Sequence, residues 1–322
     1  MPPDPPLLER FAEDLDALIA RESRLGISVS GGPDSLALLL LAAAARPGRI
    51  EAATVDHRLR AGSAEEAAVV GGVCASLGVS HEILVAEWPV RPETAVQERA
   101  REERYRLLAD WATRRGLDAV ATAHHLDDQA ETFLMRLARG AGVRGLAGMR
   151  PVSRVPGGEI PLVRPLLGWR RSELEQVCTA AGVDPARDPS NQDEQFERIR
   201  IRRALGAADW LDPQSLASSA ANLGQAEAAL EWATQQEWAQ AVTNGGAEIV
   251  YRPTDAPPEI RRRIVSRAVA RLATEGQGSE LRGRELARLL LVLGSSGTAT
   301  LRGVRCAGGT EWRFSRARVR SR

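Results

Sequence analysis

Six consecutive residues, Ser30-Gly31-Gly32-Pro33-Asp34-Ser35, lie between an apolar run at 25–29 and a longer one at 36–45. The first run has the length and apolarity of a buried strand, and the second those of a helix. Two glycines at such a junction let the backbone pass close to a ligand. The free N–H groups and positive dipole end of the following helix then face an anion. A carboxylate beside that anion, Asp34, calls for a cation between them, and Mg²⁺ suits a phosphate site. A Gly-Pro turn capped by Asp34 or Ser35 is the plainer alternative. The apolar flanks and doubled glycine favour the nucleotide loop. A Walker loop is excluded because the chain has no lysine: all 43 basic residues are arginine.

The second group is His124-His125-Leu126-Asp127-Asp128-Gln129-Ala130-Glu131-Thr132. A helix beginning near Asp127 puts Asp128 and Glu131 three apart on one face, with Asp127 as its cap. Two carboxylates so placed can hold an ammonium group or a metal. Adjacent histidines diverge, so a zinc site of the HExxH kind fails. An acidic helix start that offsets the dipole explains the carboxylates but not the paired histidines after a buried strand.

These residues need a scaffold that brings distant segments together, and the first two hundred residues supply one. Short β-rich apolar runs at 25–29, 51–55, 80–85 and 119–122 alternate with helical stretches near 35–45, 63–77, 93–115 and 128–138. That alternation predicts an α/β fold with a doubly wound parallel sheet. Ligands of such sheets bind beyond the carboxyl ends of the strands. Residues 30–35, Asp56-His57 and 124–128 each follow a strand and therefore converge on one crevice. A Gly/Pro/Arg-rich connection spans 142–167, a helix runs from about 170 to 181, and Asp188-Pro189-Ser190-Asn191 forms a loop. A long Ala-rich helix follows at 215–243, broken by Asn244-Gly245-Gly246, with a hairpin expected around Gly308-Gly309. The expected domains are 1–210 and a smaller, mainly helical α+β domain at 211–322.

The chain of 322 residues is 43% hydrophobic and 26% charged, with no apolar run long enough to span a membrane. Its start is Pro-rich and lacks the apolar core of a secretory signal. Cys74, Cys178 and Cys306 form no CxxC pair, which makes the cytoplasm the expected compartment. The absence of lysine excludes Schiff-base chemistry by a lysine of this chain. Net charge is only +1, but arginines at 302, 305, 313, 316, 318, 320 and 322 face a single Glu311 near the end. Such a segment can contact phosphates, or serve as a solvated terminus.

Taken together the motifs resemble those of the tRNA(Ile)-lysidine synthetases, within the PP-loop ATP pyrophosphatases. The resemblance rests on SGGPDS at 30–35, Val55-Asp56-His57-Arg58-Leu59-Arg60, the stretch from Glu98 to Tyr105, and the His124 to Thr132 segment. It continues through Arg136, Arg139-Gly140, Gly142 and Gly145-Leu146-Ala147-Gly148-Met149 to Arg164-Pro165-Leu166-Leu167 and residues 188–191. It covers about 24–205, with a looser match beyond. It departs where the family reads Arg-Asn-Arg, which is Arg198-Ile199-Arg200 here.

The resemblance implies an adenine nucleotide alpha hydrolase-like fold and a carbon–nitrogen ligase. Such an enzyme uses ATP and free L-lysine to convert the wobble cytidine of a CAU-anticodon tRNA(Ile) into lysidine. On that reading Ser30, Gly31, Gly32, Pro33, Asp34 and Ser35 bind ATP, Asp34 holds Mg²⁺, and Asp56 and His57 flank the adenosine, with Arg60 a further candidate. Asp128 and Glu131 hold lysine. Arg101 and Arg198 neutralise phosphate charge, unless each is an ordinary helix-surface arginine. The lysine amine must lose a proton, its ordinary pKa being about 10.4; His125 is one candidate base, and a histidine that fixes the loop is the other reading. The second domain would grip the tRNA, and a homodimer is expected. Three rivals share parts of the pattern: a tRNA thiolase, which needs cysteines this chain lacks; an NAD synthetase-like ligase, without the HHxDDxxET element; and a tRNA-binding protein with a relic loop.

Overall fold

The computed structural model describes residues 3–59, 63–88, 95–185, 197–273, 281 and 283–317, with backbone only for 63–66. Arg60, the loop at 188–191 and the arginines at 318, 320 and 322 lie outside the described residues. The chain divides into two compact units, Met1–Gly224 and Gln225–Arg322.

The first unit opens with α1 (Pro5–Asp16), which buries Phe11 and Leu15. Strand β1 (Leu25–Ser28) leads into α2 (Pro33–Ala45), β2 (Ile50–Asp56), α3 (Ser63–Ser76), β3 (Ser80–Val85), α4 (Val96–Arg115), β4 (Ala119–Ala121) and α5 (Leu126–Ala138). These spans follow the apolar periodicity closely. The 142–167 connection hides more order than its composition suggests: a short α6 (Val143–Leu146) and the antiparallel strands β5 (Val152–Arg154) and β6 (Pro161–Val163). Helices α7 (Arg171–Ala181), α8 (Glu197–Ala207) and α9 (Pro213–Ala241) follow, and the division between the units falls within α9.

The sheet order is β3-β2-β1-β4-β6-β5. Every neighbouring pair is parallel except β5 with β6, so the expected parallel sheet is a mixed one with an antiparallel edge. The chain builds outward from β1 to β3, then returns to place β4 on the other side of β1. That reversal opens a crevice at the carboxyl ends of β1 and β4. Buried residues on both faces of β1 and β4 explain why these strands read as unbroken apolar runs. Gly26 lets the indole of Trp111 lie directly on β1, since a Cβ there would fall 2.5 Å from that ring. Helix α2 is buried from Ser35 to Ala42 and packs against α1 and α7, which fixes the loop before it.

The second unit contains a five-stranded antiparallel sheet of order β7-β8-β11-β10-β9, from β7 (Val242–Asn244), β8 (Glu248–Tyr251), β9 (Thr298–Leu301), β10 (Val304–Ala307) and β11 (Trp312–Arg316). The turn through Gly308-Gly309 joins β10 to β11 as the sequence predicts. Helices α10 (Pro258–Leu272) and α11 (Gly283–Gly294) share a core with Ile249, Tyr251, Phe314 and Trp312. This unit holds more sheet than its Ala-rich and Arg-rich sequence suggests. Among the described residues no helix is long and apolar enough to cross a membrane.

Candidate active site

The loop after β1 is braced from within. The N–H of Ser30 donates to Ser35 Oγ at 3.1 Å, Ser35 Oγ donates to the Gly32 carbonyl at 3.0 Å, and the two hydroxyl oxygens lie 3.2 Å apart. Gly31 sits at φ +84°, where a side chain would be strained. Pro33 occupies the first turn of α2 without a side-chain cap, leaving the helix start open to an anion. From α7, Cys178 Sγ donates to the Pro33 carbonyl at 3.3 Å and holds the loop from behind.

The crevice is centred on His125, whose side chain is wholly buried. Its Nε2 lies 3.5 Å from Asp34 Oδ2 and 3.6 Å from Asp128 Oδ2, and its Nδ1 lies 3.4 Å from Asp127 Oδ2. These distances are those of charge contacts rather than short hydrogen bonds. Burial opposes a charged ring, but the carboxylates of Asp127, Asp34 and Asp128 outweigh it and push the imidazole up to about 9. His125 is therefore an imidazolium at neutral pH that ties the phosphate loop to α5. It is a poor base in this state, which favours the loop-fixing alternative for it. Reciprocally, although burial opposes it, His125 and Arg171 hold Asp34 below the usual carboxylate range. Asp127, despite burial, is held at about 2 by His125 and by the N–H of Arg171.

Helix α5 begins at Leu126 with His125 as its N-cap, one residue before the expected start. Asp128 accepts from the His125 N–H at 3.1 Å. Asp127 does not cap its own helix; it accepts from the N–H of Arg171 at 2.9 Å and so caps α7. Arg171 also brings a guanidinium nitrogen within 3.7 Å of Asp34 Oδ2.

Arg198, seventy residues away in sequence, reaches both proposed lysine-binding carboxylates. Its Nη2 is 2.6 Å from Asp128 Oδ1 and its Nε 2.6 Å from Glu131 Oε2. Arg202, one turn on, places Nε 2.6 Å from Glu131 Oε1. Glu131 is thus 2% exposed at its side chain and bonded to two guanidinium groups, whereas Asp128 keeps 14% exposure. Burial opposes ionisation of Glu131, but the two arginines hold it charged below its ordinary range.

The remaining candidates take different positions. Asp56 is the last residue of β2, beside β1 in the sheet, and His57 follows it. Asp56 Oδ1 accepts from the Arg58 N–H at 2.9 Å, and the His57 carbonyl accepts from Trp88 Nε1 at 2.8 Å. Burial, with Arg104 nearby, pushes His57 down to about 4, so its ring is neutral; neither ring nitrogen has a partner among the described residues. Arg101 is exposed over the Tyr105 ring at 5.0 Å, and among the described residues no hydrogen bond brings it onto the phosphate loop. It lies instead near His124, which burial and the cations Arg164, Arg101 and Arg198 push down to about 4. Those arginines and Arg136, whose charge Arg101 also opposes, form a cationic side of the site.

Arg171 and Arg202 were not singled out from sequence, and Asp127, expected to cap α5, caps α7 instead. Arg171 carried a readable signal, because a basic residue in the first turn of a helix opposes its dipole and needs a compensating anion.

A cation beside the nucleotide has one well-prepared ligand. Asp34 Oδ1 is buried without a hydrogen-bond partner, which fits a carboxylate that meets Mg²⁺. Among the described residues no group of three or more His, Cys, Asp or Glu forms a metal cage. Mg²⁺ held by one carboxylate and substrate phosphates needs none.

Comparison with known proteins adds to this geometry. Residues 7–208 match the family model described as a PP-loop domain. The tRNA(Ile)-lysidine synthase of Novosphingobium aromaticivorans is 48% identical over 310 residues, covering 96% of this chain and 93% of that protein. That of Zymomonas mobilis is 42% identical over 321 residues, covering 98% and 96%. Among solved structures, the U34-tRNA thiolase NcsA of Methanococcus maripaludis aligns with a TM-score of 0.56 at 14% identity, over 68% of this chain and 78% of that one, which shows a shared fold.

Proposed function

We propose, for a chain that belongs to the PP-loop domain family and to the tRNA(Ile)-lysidine synthases, that the crevice between β1 and β4 ligates free L-lysine to the wobble cytidine of a CAU-anticodon tRNA(Ile). The observation that carries the reading is the convergence of the phosphate loop, His125 and the Asp128–Arg198–Glu131 cluster in that one crevice.

The reaction has two halves. In the first, the ring carbonyl oxygen of cytosine attacks the α-phosphorus of ATP and pyrophosphate departs. The loop N–H groups and the start of α2 receive the phosphates, and Asp34 would hold Mg²⁺ through its free oxygen. Bound there, the cation neutralises charge on the phosphates. His125 keeps Asp34 ionised and aimed, and the neutral ring of His57 supports a nucleoside contact.

In the second half, the lysine ε-amine attacks the activated ring carbon, a C–N bond forms, AMP leaves and the amine gives up a proton. Asp128 is the more accessible receptor for the ammonium group. Glu131, enclosed by Arg198 and Arg202, acts by positioning those guanidiniums. Arg198 is well placed to serve developing phosphate charge as it moves between carboxylate and substrate. The target base must leave the anticodon stack to reach the crevice.

The functional domains are proposed as 1–210 for chemistry and 211–322 for gripping tRNA, where arginine is in excess. A cytoplasmic setting is supported by three free, buried cysteines. A homodimer, supported by the family resemblance, is testable by light scattering.

The test supplies labelled lysine, ATP, Mg²⁺ and an unmodified CAU-anticodon tRNA(Ile) transcript, with methionine tRNA as control. Lysine transfer to the first alone is expected. AMP release without lysine transfer would show a different nucleophile, and no tRNA-dependent AMP release would favour a relic binding protein.

A further inference from the structure

The turn between α8 and α9 leaves Trp210 80% exposed, whereas Trp111 and Trp169 in the same unit are 1% and 0% exposed. An indole in water forgoes a large burial gain. Its backbone setting is well fixed. Leu211 N–H donates to the Ala208 carbonyl at 3.0 Å, and Asp212 accepts from the N–H of Ser215 at 3.1 Å at the start of α9. Asp212 Oδ1 also accepts from Arg170 Nη2 at 3.0 Å.

That last bond ties the turn to the crevice. Arg170 precedes Arg171, whose N–H meets Asp127 and whose guanidinium approaches Asp34. The turn also ends α8, the helix that sends Arg198 and Arg202 onto the site carboxylates and leaves Arg200 and Arg203 exposed. A flat aromatic face is thus held in a turn bonded to Arg170 and directly following the helix that carries Arg198, Arg200, Arg202 and Arg203.

We propose that Trp210 is a stacking platform for an unpaired base of the RNA substrate, beside the nucleotide that enters the crevice. The inference rests on the reading of the chain as a tRNA-modifying ligase. Indoles hold unstacked bases by their π-faces, and nearby arginines meet the phosphates between those bases. A stacked neighbour would fix the register of the single-stranded loop, so that one particular base reaches the α-phosphorus. Trp210 is in this sense a positioning residue that touches RNA but not the reacting atoms.

The test compares native protein with Trp210→Ala and Trp210→Phe in steady-state lysine transfer, tRNA filter binding and thermal melting. Trp210→Ala is expected to raise the tRNA KM and Kd roughly ten-fold. The KM values for ATP and lysine and the melting temperature should stay at native values, and Trp210→Phe should recover most of the affinity. Unchanged tRNA affinity in Trp210→Ala overturns the proposal. So does an equal rise in the ATP KM with a lowered melting temperature, which would mark a packing role. A changed light-scattering mass at constant tRNA affinity would assign the indole to an interface between copies, again overturning it. Failure of the native protein to transfer lysine would count against the proposed function, while the binding comparison would still decide the role of Trp210.

Discussion

In the unit Gln225–Arg322, Glu227 is 4% exposed and both of its oxygens accept from Arg263, at 2.8 and 2.6 Å. Nearby Glu237, 7% exposed, accepts from the Tyr251 hydroxyl at 2.8 Å and from Thr254 on both oxygens. In the crevice of the unit Met1–Gly224, Asp34 is half-buried, with 24% of its side chain exposed, and faces His125 and Arg171, yet its buried Oδ1 has no hydrogen-bond partner. Both regions hold carboxylates against cations in a medium that makes isolated charge expensive. The difference is whether acceptor capacity is used up inside the protein. Glu227 and Glu237 are spent on architecture, whereas Asp34 keeps an oxygen for something that binds. Overall charge differs in the same sense: the first unit has 27 Arg against 32 Asp and Glu, and the second 16 Arg against 10. The acidic unit carries the phosphate chemistry, so its anion binding comes from a few placed groups, while the basic unit can attract RNA at longer range.

The comparison breaks first at Asp34. Asp34→Ala should lower tRNA-dependent AMP formation on the order of a thousand-fold, with a melting temperature close to native. A large melting shift with activity retained would place Asp34 with the structural carboxylates. Glu227→Gln should do the opposite. It takes from the largely buried Arg263 one of its two carboxylate partners, Glu259 remaining at 2.8 Å, and should cost about 1–3 kcal/mol in denaturant unfolding, with activity per folded molecule unchanged.

A pH series sharpens the contrast further. The folded pKa of His125 is raised from 6.5 to about 9, so its contribution is whole below about pH 6.5 and is lost as pH rises through about 9. The change amounts to about 3 kcal/mol. Asp127 is depressed to about 2, so its contribution is present above about pH 4 and is lost only as pH falls through about 2. Unfolding of the ligand-free protein should therefore show an alkaline loss that His125→Gln removes; an unchanged alkaline loss in that variant would remove His125 from the account. The smallest effect is expected from Arg198→Lys, which keeps the charge but cannot span Asp128 and Glu131 as a planar fork. Roughly a ten-fold loss in kcat/KM for lysine is expected, read from transfer kinetics.

How much of this was legible depended on range. The strands β1 to β4 and helices α2 to α5 follow from local apolar periodicity, and their order along the chain places residues 30–35, 56–57 and 124–128 at one sheet edge. Strands β5 and β6 were not readable, because three-residue segments among Gly157, Gly158 and Pro161 carry no period. Nor was the joining of Arg198 to Asp128 and Glu131, which depends on the packing of α8 against α5. The sequence suggested that two carboxylates share a helix face; only the fold shows that Glu131 is enclosed by arginines while Asp128 retains access. Asp127 capping α7 instead of α5 is likewise a tertiary choice between two helix starts.

The most direct measurement separates the two halves of the reaction by supplying ATP labelled at the α-phosphate and the CAU-anticodon tRNA(Ile), first without lysine and then with it. Native protein should label the tRNA and release the label as AMP when lysine is added. Asp34→Ala should leave the tRNA unlabelled, and Asp128→Asn should label it but discharge it slowly. Failure of Asp128→Asn to label the tRNA, to the same degree as Asp34→Ala, would contradict the assignment of phosphate and lysine to separate carboxylates of one crevice.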